Sequence, residues 1–273
     1  PLLIALTGLQ GSGKSTIATH LTHALRTTHS LHAITVSLDD FYLPHSALVT
    51  LREQNTLYSV RGQPGTHDAK LAERFFAEVR TGKGVRVPEF DKSAFGGEGD
   101  RVPEGEWSVV EGRVDAVVFE GWCVGFRALA EGEVEARWRT AREARGHDHG
   151  HDHGGSAADG MRPVNTLADH SLEDLLQVNR CLERYTETFM GPRRLDVLVH
   201  LDTERLENVY TWRVEQEEKL REAKGRGMAE GEVVEFVRRY MPAYELYLDG
   251  LRKGFFEGVG RGKVQVRVLL GVD

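Results

Sequence analysis

The chain is poor in cysteine and has no long apolar run. Its 273 residues include two cysteines, Cys123 and Cys181, and neither lies in a CxxC pair. The sequence therefore argues against a disulfide framework or a thiolate zinc site, and it favours a reducing compartment. The longest apolar stretches, near Leu2–Leu6 and Val114–Phe119, fall far short of the about 18 residues that mark a transmembrane helix, so we expect no membrane partner.

Basic residues are also in deficit. Lys and Arg total 35 against 42 for Asp and Glu, which gives a net charge of −7. This excess of acid argues against an extended nucleic-acid-binding face, so any phosphate binding is expected to be local. With 40% apolar and 28% charged residues, the composition is that of a globular protein able to bury a core.

The sequence begins at Pro1 without a methionine. An organelle-targeting segment upstream therefore stays open as an alternative to the cytoplasmic location that we expect, and a nuclear location is a further alternative. We see no linker that divides the chain, so we expect one domain over residues 1–273, acting as a monomer.

Five short apolar runs, separated by helical stretches, predict the strands of a parallel sheet. Their continuous apolar character, without period-2 alternation, is typical of strands covered by helices on both faces. The class is therefore α/β, a three-layer sandwich. The runs are Leu2–Leu6, Ala33–Leu38, Val114–Phe119, Leu195–Leu201 and Val264–Leu270. Helices are predicted around residues 17–25, 69–80, 172–182 and 204–224, and over 232–252 with an interruption at Pro242.

A low-complexity segment, residues 142–162, has no apolar periodicity and contains HDHGHDHGG. Its histidines, His147, His149, His151 and His153, suggest metal capture, since imidazole is a common metal ligand. The alternative, which we favour, is a solvated insertion loop, because a Gly-rich tract offers no preorganised geometry for a metal.

The most specific local signal follows the first predicted strand. Residues 8–16 read GLQGSGKST and match the phosphate-binding pattern G-x-x-x-x-G-K-[ST]. Backbone N–H groups freed by glycines, together with a helix N-terminus, bind phosphate oxygens. Lys14 is predicted to reach the β- and γ-phosphates and Ser15 to offer its hydroxyl to Mg²⁺. The predicted nucleotide-binding residues are Gly8, Gly11, Ser12, Gly13, Lys14, Ser15 and Thr16.

Three classes of protein use such a loop: regulatory GTPases, remodelling ATPases and small-molecule kinases. The sequence has neither an N-K-x-D guanine reader nor a D-x-x-G switch, which argues against a GTPase. The strand 114–119 ends in a single acid, Glu120, where a remodelling ATPase usually carries two. This weakens the remodelling-ATPase interpretation without eliminating it, and a small-molecule kinase that uses ATP and Mg²⁺ stays open beside it.

Acidic residues follow the second predicted strand, in the sequence SLDDFY of residues 37–42. Open α/β sheets bind their ligands at the carboxyl ends of the strands, so Asp39 is expected to face the γ-phosphate and accept the proton of an attacking hydroxyl. The alternative is that Asp39 or Asp40 only caps a turn. Glu120 is predicted to help hold Mg²⁺, with a solvated strand-end acid as the alternative.

Several longer motifs are more particular than the phosphate loop. They are SLDDFYL, RGQPGTHD (61–68), VPEFDKSAFGGEGDR (87–101), VVFEGW (117–122), WRVEQEEKLREAKGRGM (212–228) and FVRRYMPAYELYL (236–248). Together they resemble D-glycerate 3-kinase and its fungal relatives and, more distantly, uridine kinase, phosphoribulokinase and pantothenate kinase. The resemblance implies a P-loop NTPase fold with a five-stranded parallel sheet of order 2-3-1-4-5 and a helical lid, placed here at residues 204–228. It also implies that Asp39 is the catalytic base.

The implied acceptor is D-glycerate, a small hydroxy acid, and the implied product is 3-phosphoglycerate. A pocket for this acid needs a cation for the carboxylate and polar groups for the hydroxyls. The candidates are Tyr42, Arg61, His67, Lys92 and Arg101, and the alternative for the charged ones is a solvated surface position. Asp68 has a further explanation as the N-cap of the following helix.

Arg213 and Arg221 lie on one face of the charged helix within the expected lid. They are predicted either to close over the phosphates and neutralise transition-state charge or to belong to an ordinary salt-bridge face. Two further functions stay open: a kinase of the same fold acting on another alcohol, such as a nucleoside or a pantothenate-like compound, and a regulatory protein that binds a nucleotide without transferring its phosphate.

Overall fold

A parallel sheet forms the centre of the fold. The computed structural model describes residues 1–148, 164–225, 227–260 and 262–271. The strands are β1 (Leu2–Gly8), β2 (Ala33–Ser37), β3 (Ala116–Glu120), β4 (Val197–Asp202) and β5 (Val264–Leu269). Their spatial order is 2-3-1-4-5 and all neighbours run parallel, as the resemblance implied.

Helices cover the sheet on both faces. They are α1 (Lys14–His29), α2 (His45–Arg52), α3 (Ala69–Val79), α4 (Glu131–Asp148), α5 (Leu172–Tyr185), α6 (Asn208–Lys224), α7 (Glu230–Arg238) and α8 (Met241–Lys253). Successive strand residues face opposite sides: Leu6 and Val118 pack with Ala18 of α1, whereas Ala5 and Phe119 belong to the core that contains α3, α5 and α8. The three-layer α/β prediction is confirmed.

The fifth strand departs from expectation. We predicted five buried strands, yet β5 exposes its apolar side chains, with Val264 51% and Val266 45% accessible. The reason is its position, because β5 is an edge strand that pairs with β4 alone. Apolar composition predicted the strand correctly and its burial wrongly.

One helical segment differs from prediction, and another shows the interruption that was predicted for it. The low-complexity segment 142–162 was expected to lie outside any regular element, but α4 continues through Asp148. Residues 149–163, which include His149, His151 and His153, lie outside the described residues, as does the side chain of His147, so the metal interpretation stays untested. The predicted run 232–252 forms two helices, since Pro242 occupies the first turn of α8, where its missing N–H costs nothing.

Two small hairpin-like pairs extend from the region between α3 and β3. Val85–Arg86 pairs with Val109–Val110, and Phe90–Asp91 pairs antiparallel with Asp100–Arg101. The second pair and its loop, residues 90–101, are called the substrate hairpin below. Within the described ranges, no helix combines the length and the apolar character needed to cross a membrane.

A buried carboxylate joins the last helix and the edge strand to the sheet. Asp202 at the end of β4 is fully buried and accepts hydrogen bonds from Arg252 of α8 at 2.9 Å and from Arg267 of β5 at 2.7 Å. Burial by itself raises the pKa of Asp202, but the hydrogen bonds and charge of Arg252 outweigh it and hold the pKa below its ordinary value.

We predict that Asp202→Ala destabilises the fold by about 3 kcal/mol, since it leaves two guanidinium groups without their buried partner. Urea unfolding at neutral pH measures this loss. Because the folded pKa of Asp202 is lowered, its contribution is present at neutral pH and is lost as the pH falls through that lowered pKa. The control is Asp249→Ala, which removes an exposed partner of Arg252 and is expected to cost less than about 1 kcal/mol.

Candidate active site

The loop between β1 and α1 has the geometry of a phosphate cradle. Gly13 adopts φ +80° directly before α1, a left-handed conformation that glycine takes without strain. Gly11 has φ +79°, and a Cβ added there would lie 2.7 Å from Cβ of Trp212 on α6. The loop therefore needs glycine at residue 11 for close packing and at residue 13 for the turn into the helix.

Lys14 begins α1 and lines the cleft beside the loop. Its Nζ donates to the carbonyl of Leu9 at 2.9 Å. Burial lowers the pKa of Lys14 to about 8, although the negative charges of Glu120 and Asp39 counteract part of this effect. The ammonium is therefore mainly protonated at neutral pH, as a phosphate ligand must be.

Ser15 and Glu120 bring two side-chain oxygens together at the end of the sheet. Ser15 Oγ donates to Glu120 Oε1 at 3.1 Å, and Glu120 is 8% exposed. Mg²⁺ prefers oxygen ligands and usually binds through one or two protein oxygens together with substrate phosphates. The pair fits that role, and within the described ranges no cluster of three or more His, Cys, Asp or Glu side chains is placed to hold a metal.

A short 3₁₀-helix, Leu38–Phe41, carries Asp39 from the end of β2 to the cleft. Its first and last residues are fully buried and fix it to the core. Asp40 accepts a hydrogen bond from Ser37 N at 2.9 Å, and Ser37 Oγ accepts one from Asp39 N at 3.2 Å. The two acids thus divide the roles we considered: Asp40 caps the turn and Asp39 lines the cleft.

Asp39 forms an ion pair in the cleft with Lys92 of the substrate hairpin. Lys92 Nζ lies 2.5 Å from Asp39 Oδ2. Burial by itself raises the pKa of Asp39, but the charge and hydrogen bond of Lys92 lower it to a net value below the ordinary one. Asp40, in contrast, has its pKa raised to about 6, mainly by burial. Asp39 is thus ionised at neutral pH and accessible from the cleft.

Most of the predicted site residues meet in one cleft of 680 Å³. Its lining joins the phosphate loop to the substrate hairpin and to α6. The predicted residues on this lining are Gly11, Gly13, Lys14, Ser15, Thr16, Asp39, Tyr42, Arg61, Lys92, Glu120 and Arg213. Gly8 and Ser12 belong to the same loop, behind its surface, where a Cβ at residue 8 would lie 2.7 Å from Leu201.

Arg61 also fixes the substrate hairpin. Its Nη1 donates to the carbonyls of Gly97 at 2.7 Å and Glu98 at 2.6 Å. Its guanidinium lies 5.8 Å from the ring centre of Tyr42 and 5.4 Å from that of Phe90. Both of these hydrogen bonds use Nη1, so the other nitrogens of the planar Arg61 guanidinium still offer N–H donors to an anion in the cleft.

Besides Gly8 and Ser12 of the phosphate loop, three predicted residues are not brought to the cleft lining. His67 is 4% exposed and stacks against Tyr42 with ring centres 4.4 Å apart, and burial lowers its pKa to about 4, so it is uncharged at neutral pH. Arg101 donates to the carbonyl of Tyr42 at 2.7 Å and to Asp68 at 3.1 Å. Arg221 donates to the carbonyl of Met228. The structure thus gives His67 and Arg101 supporting positions behind Tyr42.

Sequence reasoning missed several residues of the cleft wall. Tyr240 is not among the predicted site residues, yet it lines the cleft and its hydroxyl donates to the carbonyl of Arg61 at 3.2 Å. Trp122, on the same wall, donates to the carbonyl of Gly62 at 3.0 Å. The motif VVFEGW contained a signal for Trp122, since it directly follows the strand end that carries Glu120. Gln10, Trp212, Gln216, Lys219 and Phe236 also line the cleft.

Arg213 lies in the cleft but is already paired. It donates to Gln216 at 2.8 Å and forms an ion pair with Glu217, one turn further along α6. Its guanidinium also lies 4.8 Å from the ring centre of Phe236 on α7. Arg213 therefore belongs to a salt-bridge face and also lines the cleft, and its predicted closure over the phosphates stays a prediction.

Known proteins match most of this chain in sequence and in fold. The chain is 36% identical over 258 residues to the uncharacterized kinase mug58 of Schizosaccharomyces pombe, covering 92% of this chain and 82% of the relative. Among solved structures, D-glycerate 3-kinase from Cryptococcus neoformans matches with a TM-score of 0.80 and 33% identity, covering 98% of this chain and 86% of that chain. The chain belongs to the D-glycerate 3-kinase family. It is a P-loop kinase, and the resemblance predicted from its motifs is confirmed.

A plant member of the family is longer. The chloroplastic D-glycerate 3-kinase of Arabidopsis thaliana is 33% identical over 258 residues, which cover 92% of this chain and 48% of that protein. The chain thus spans about half the length of the plant relative. No family model matches the chain.

We predict that Glu120→Gln raises the Mg²⁺ concentration needed for half-maximal activity by about 10- to 100-fold, since it removes a charge from the Ser15–Glu120 pair. A Mg²⁺ titration at saturating nucleotide measures the shift, and nucleotide binding without Mg²⁺ should change little. The matched control is Glu111→Gln, an exposed acid before β3. An unchanged Mg²⁺ requirement in Glu120→Gln contradicts the metal assignment.

Proposed function

We propose that this kinase transfers the γ-phosphoryl group of ATP to the 3-hydroxyl of D-glycerate and forms 3-phosphoglycerate. One observation carries the proposal: an ionised carboxylate, Asp39, shares a cleft with the phosphate loop and with two cations, Lys92 and Arg61. Glycerate needs all three, because it offers a hydroxyl to a base and a carboxylate to cations. Relatives named D-glycerate 3-kinase support the choice of acceptor.

The phosphate loop is assigned to the triphosphate of ATP. Backbone N–H groups around Gly11 and Gly13 and the N-terminus of α1 bind its oxygens, and Lys14 stabilises negative charge on the β- and γ-phosphates. Ser15 and Glu120 are the residues that would hold Mg²⁺, which would supply positive charge to neutralise the phosphates.

Asp39 is assigned as the general base. The acceptor hydroxyl gives its proton to Asp39 Oδ as its oxygen attacks the γ-phosphorus, and ADP leaves. The lowered pKa of Asp39 keeps the carboxylate ionised at neutral pH, which is the protonation state that a general base needs. Tyr42, next to Asp39 in the lining, closes the acceptor side of the cleft.

Lys92 and Arg61 are assigned to the carboxylate of the acceptor. Arg61 supplies a planar fork that fits a carboxylate, and Lys92 supplies a point charge on a flexible stem. His67 and Arg101 drop out of this set, since the first is uncharged and buried and the second is bound to Tyr42 and Asp68.

Residues 204–228 are assigned as the lid, with Arg213 as its working cation. Arg213 lies in the cleft wall beside the phosphate loop, since α6 packs against Gly11, so a small movement of its side chain is proposed to bring the guanidinium to the phosphates. Arg221 donates to the Met228 carbonyl, so it is assigned a role at the phosphates only after α6 has closed over them.

A coupled assay of ADP release over a panel of alcohols tests the acceptor. The panel contains D- and L-glycerate, other hydroxy acids, nucleosides and pantothenate. We expect glycerate-dependent ADP release and 3-phosphoglycerate as the product, identified by mass spectrometry and NMR. Release with a nucleoside or pantothenate alone identifies a different kinase, and ATP binding without acceptor-dependent release identifies a nucleotide-binding protein that transfers nothing.

We predict that Asp39→Asn retains ATP binding and lowers turnover by about 10²- to 10⁴-fold, which is the usual contribution of a general base. The amide keeps the size of the side chain but accepts no proton. Stopped-flow or steady-state turnover is compared with binding of a fluorescent ATP analogue. The matched control is Asp249→Asn on the exposed face of α8, and wild-type turnover in Asp39→Asn removes the base assignment.

A further inference from the structure

Lys92 forms an ion pair with Asp39, the carboxylate that the proposed reaction needs as its base. The Lys92–Asp39 pair is 2.5 Å long, with the Lys92 side chain 56% exposed and that of Asp39 28% exposed. A carboxylate that accepts a hydrogen bond from an ammonium is a weaker base than a carboxylate without such a partner. In this pairing, Asp39 is ionised but poorly able to take a proton from an attacking oxygen.

The backbone of the substrate hairpin is held in place at several points. Arg61 binds two of its carbonyls, and Phe95 stacks on His45 of α2 with ring centres 3.8 Å apart. Glu98 pairs with His45 at 2.7 Å and with Arg52 at 2.9 Å. Release of Asp39 therefore needs only a rotation of the Lys92 side chain, whose four-carbon stem is flexible, and no movement of the hairpin.

The carboxylate of an acidic acceptor bound in the cleft competes with Asp39 for the ammonium of Lys92. Arg61 lies on the same lining as Lys92 and Asp39, so an acidic acceptor bound there by the Arg61 fork brings its carboxylate to the reach of Lys92. Lys92 can then pair either with Asp39 or with the carboxylate of the acceptor. A neutral alcohol or water offers no such competitor and leaves the pair intact.

We propose that Lys92 is a specificity-determining residue that restrains the base Asp39 until the carboxylate of the acceptor draws Lys92 away. This inference rests on the proposed function, since it takes Asp39 as the base and an acid as the acceptor. It links the charge of the acceptor to the start of the reaction, and it protects ATP from water when the acceptor is absent.

The chemistry is the same for acceptor and water. The O–H bond of the attacking group breaks and its proton goes to Asp39, its oxygen bonds to the γ-phosphorus, and the bond from that phosphorus to the bridging oxygen breaks with its electron pair on ADP. While Lys92 is paired with Asp39, the Asp39 carboxylate does not accept a proton from water. When the carboxylate of the acceptor pairs with Lys92, Asp39 is free to accept the proton from the hydroxyl of the same acceptor molecule.

The first experiment measures ATP hydrolysis without any acceptor. Lys92→Met keeps the length of the stem and removes the charge, and we expect hydrolysis to rise about 10-fold as Asp39 becomes free to act on water. Lys92→Arg keeps a cation beside Asp39 and should raise hydrolysis far less than Lys92→Met does. The control is Lys83→Met, an exposed lysine after α3. Hydrolysis by Lys92→Met at or below the wild-type rate overturns the proposal.

The second experiment uses D-lactate, which is glycerate without the 3-hydroxyl. In the wild type, D-lactate should stimulate ATP hydrolysis, because its carboxylate draws Lys92 from Asp39 and water takes the place of the hydroxyl. Lys92→Met should give no further stimulation. Absence of stimulation in the wild type, or equal stimulation in both proteins, overturns the carboxylate trigger.

These outcomes are separable from failure of the proposed function. If glycerate supports no ADP release, the acceptor is wrong, whereas the hydrolysis rate of Lys92→Met without an acceptor still reports whether Lys92 restrains Asp39. Each variant must bind a fluorescent ATP analogue as the wild type does and unfold at the same temperature. Lys92→Gln serves as a second neutral variant, and a low hydrolysis rate in both neutral variants rejects the restraint.

Discussion

The parallel register of three neighbouring strands is the constraint on which the site depends. Ser37 at the end of β2 lies level with Glu120 at the end of β3, and Glu120 lies level with Leu6 of β1. Asp39, Glu120 and the phosphate loop therefore emerge at one edge of the sheet. A slip of one residue between strands would turn Glu120 to the other face and take it from Ser15.

Local patterns predicted the strands, the phosphate loop and the acidic residue of the cleft. These features depend on neighbours in the sequence: a run of apolar residues, glycines at fixed spacing, an acid after a strand. The strand order 2-3-1-4-5 depends on pairing between distant segments, so it followed from the family resemblance alone. The location, the monomeric state and the single domain over residues 1–273 stay predictions.

Other errors came from partners that no local pattern reveals. Arg101 has the right charge for an acid, but the Tyr42 carbonyl and Asp68 take its guanidinium, and His67 loses its charge under the ring of Tyr42. Helix α4 escaped prediction because few of its residues are apolar. Pairs one turn apart support it, such as Arg137 with Glu133, and these add to helix stability without a hydrophobic stripe.

The close packing of Gly11 against Trp212 has a consequence for observing the enzyme. The indole nitrogen of Trp212 donates to the carbonyl of Gly271 at 3.2 Å, so the ring is held between the phosphate loop and the end of the chain. Trp122 lies on the same cleft lining. Two native fluorophores thus border the nucleotide position, and their emission reports occupancy of the cleft without any attached label.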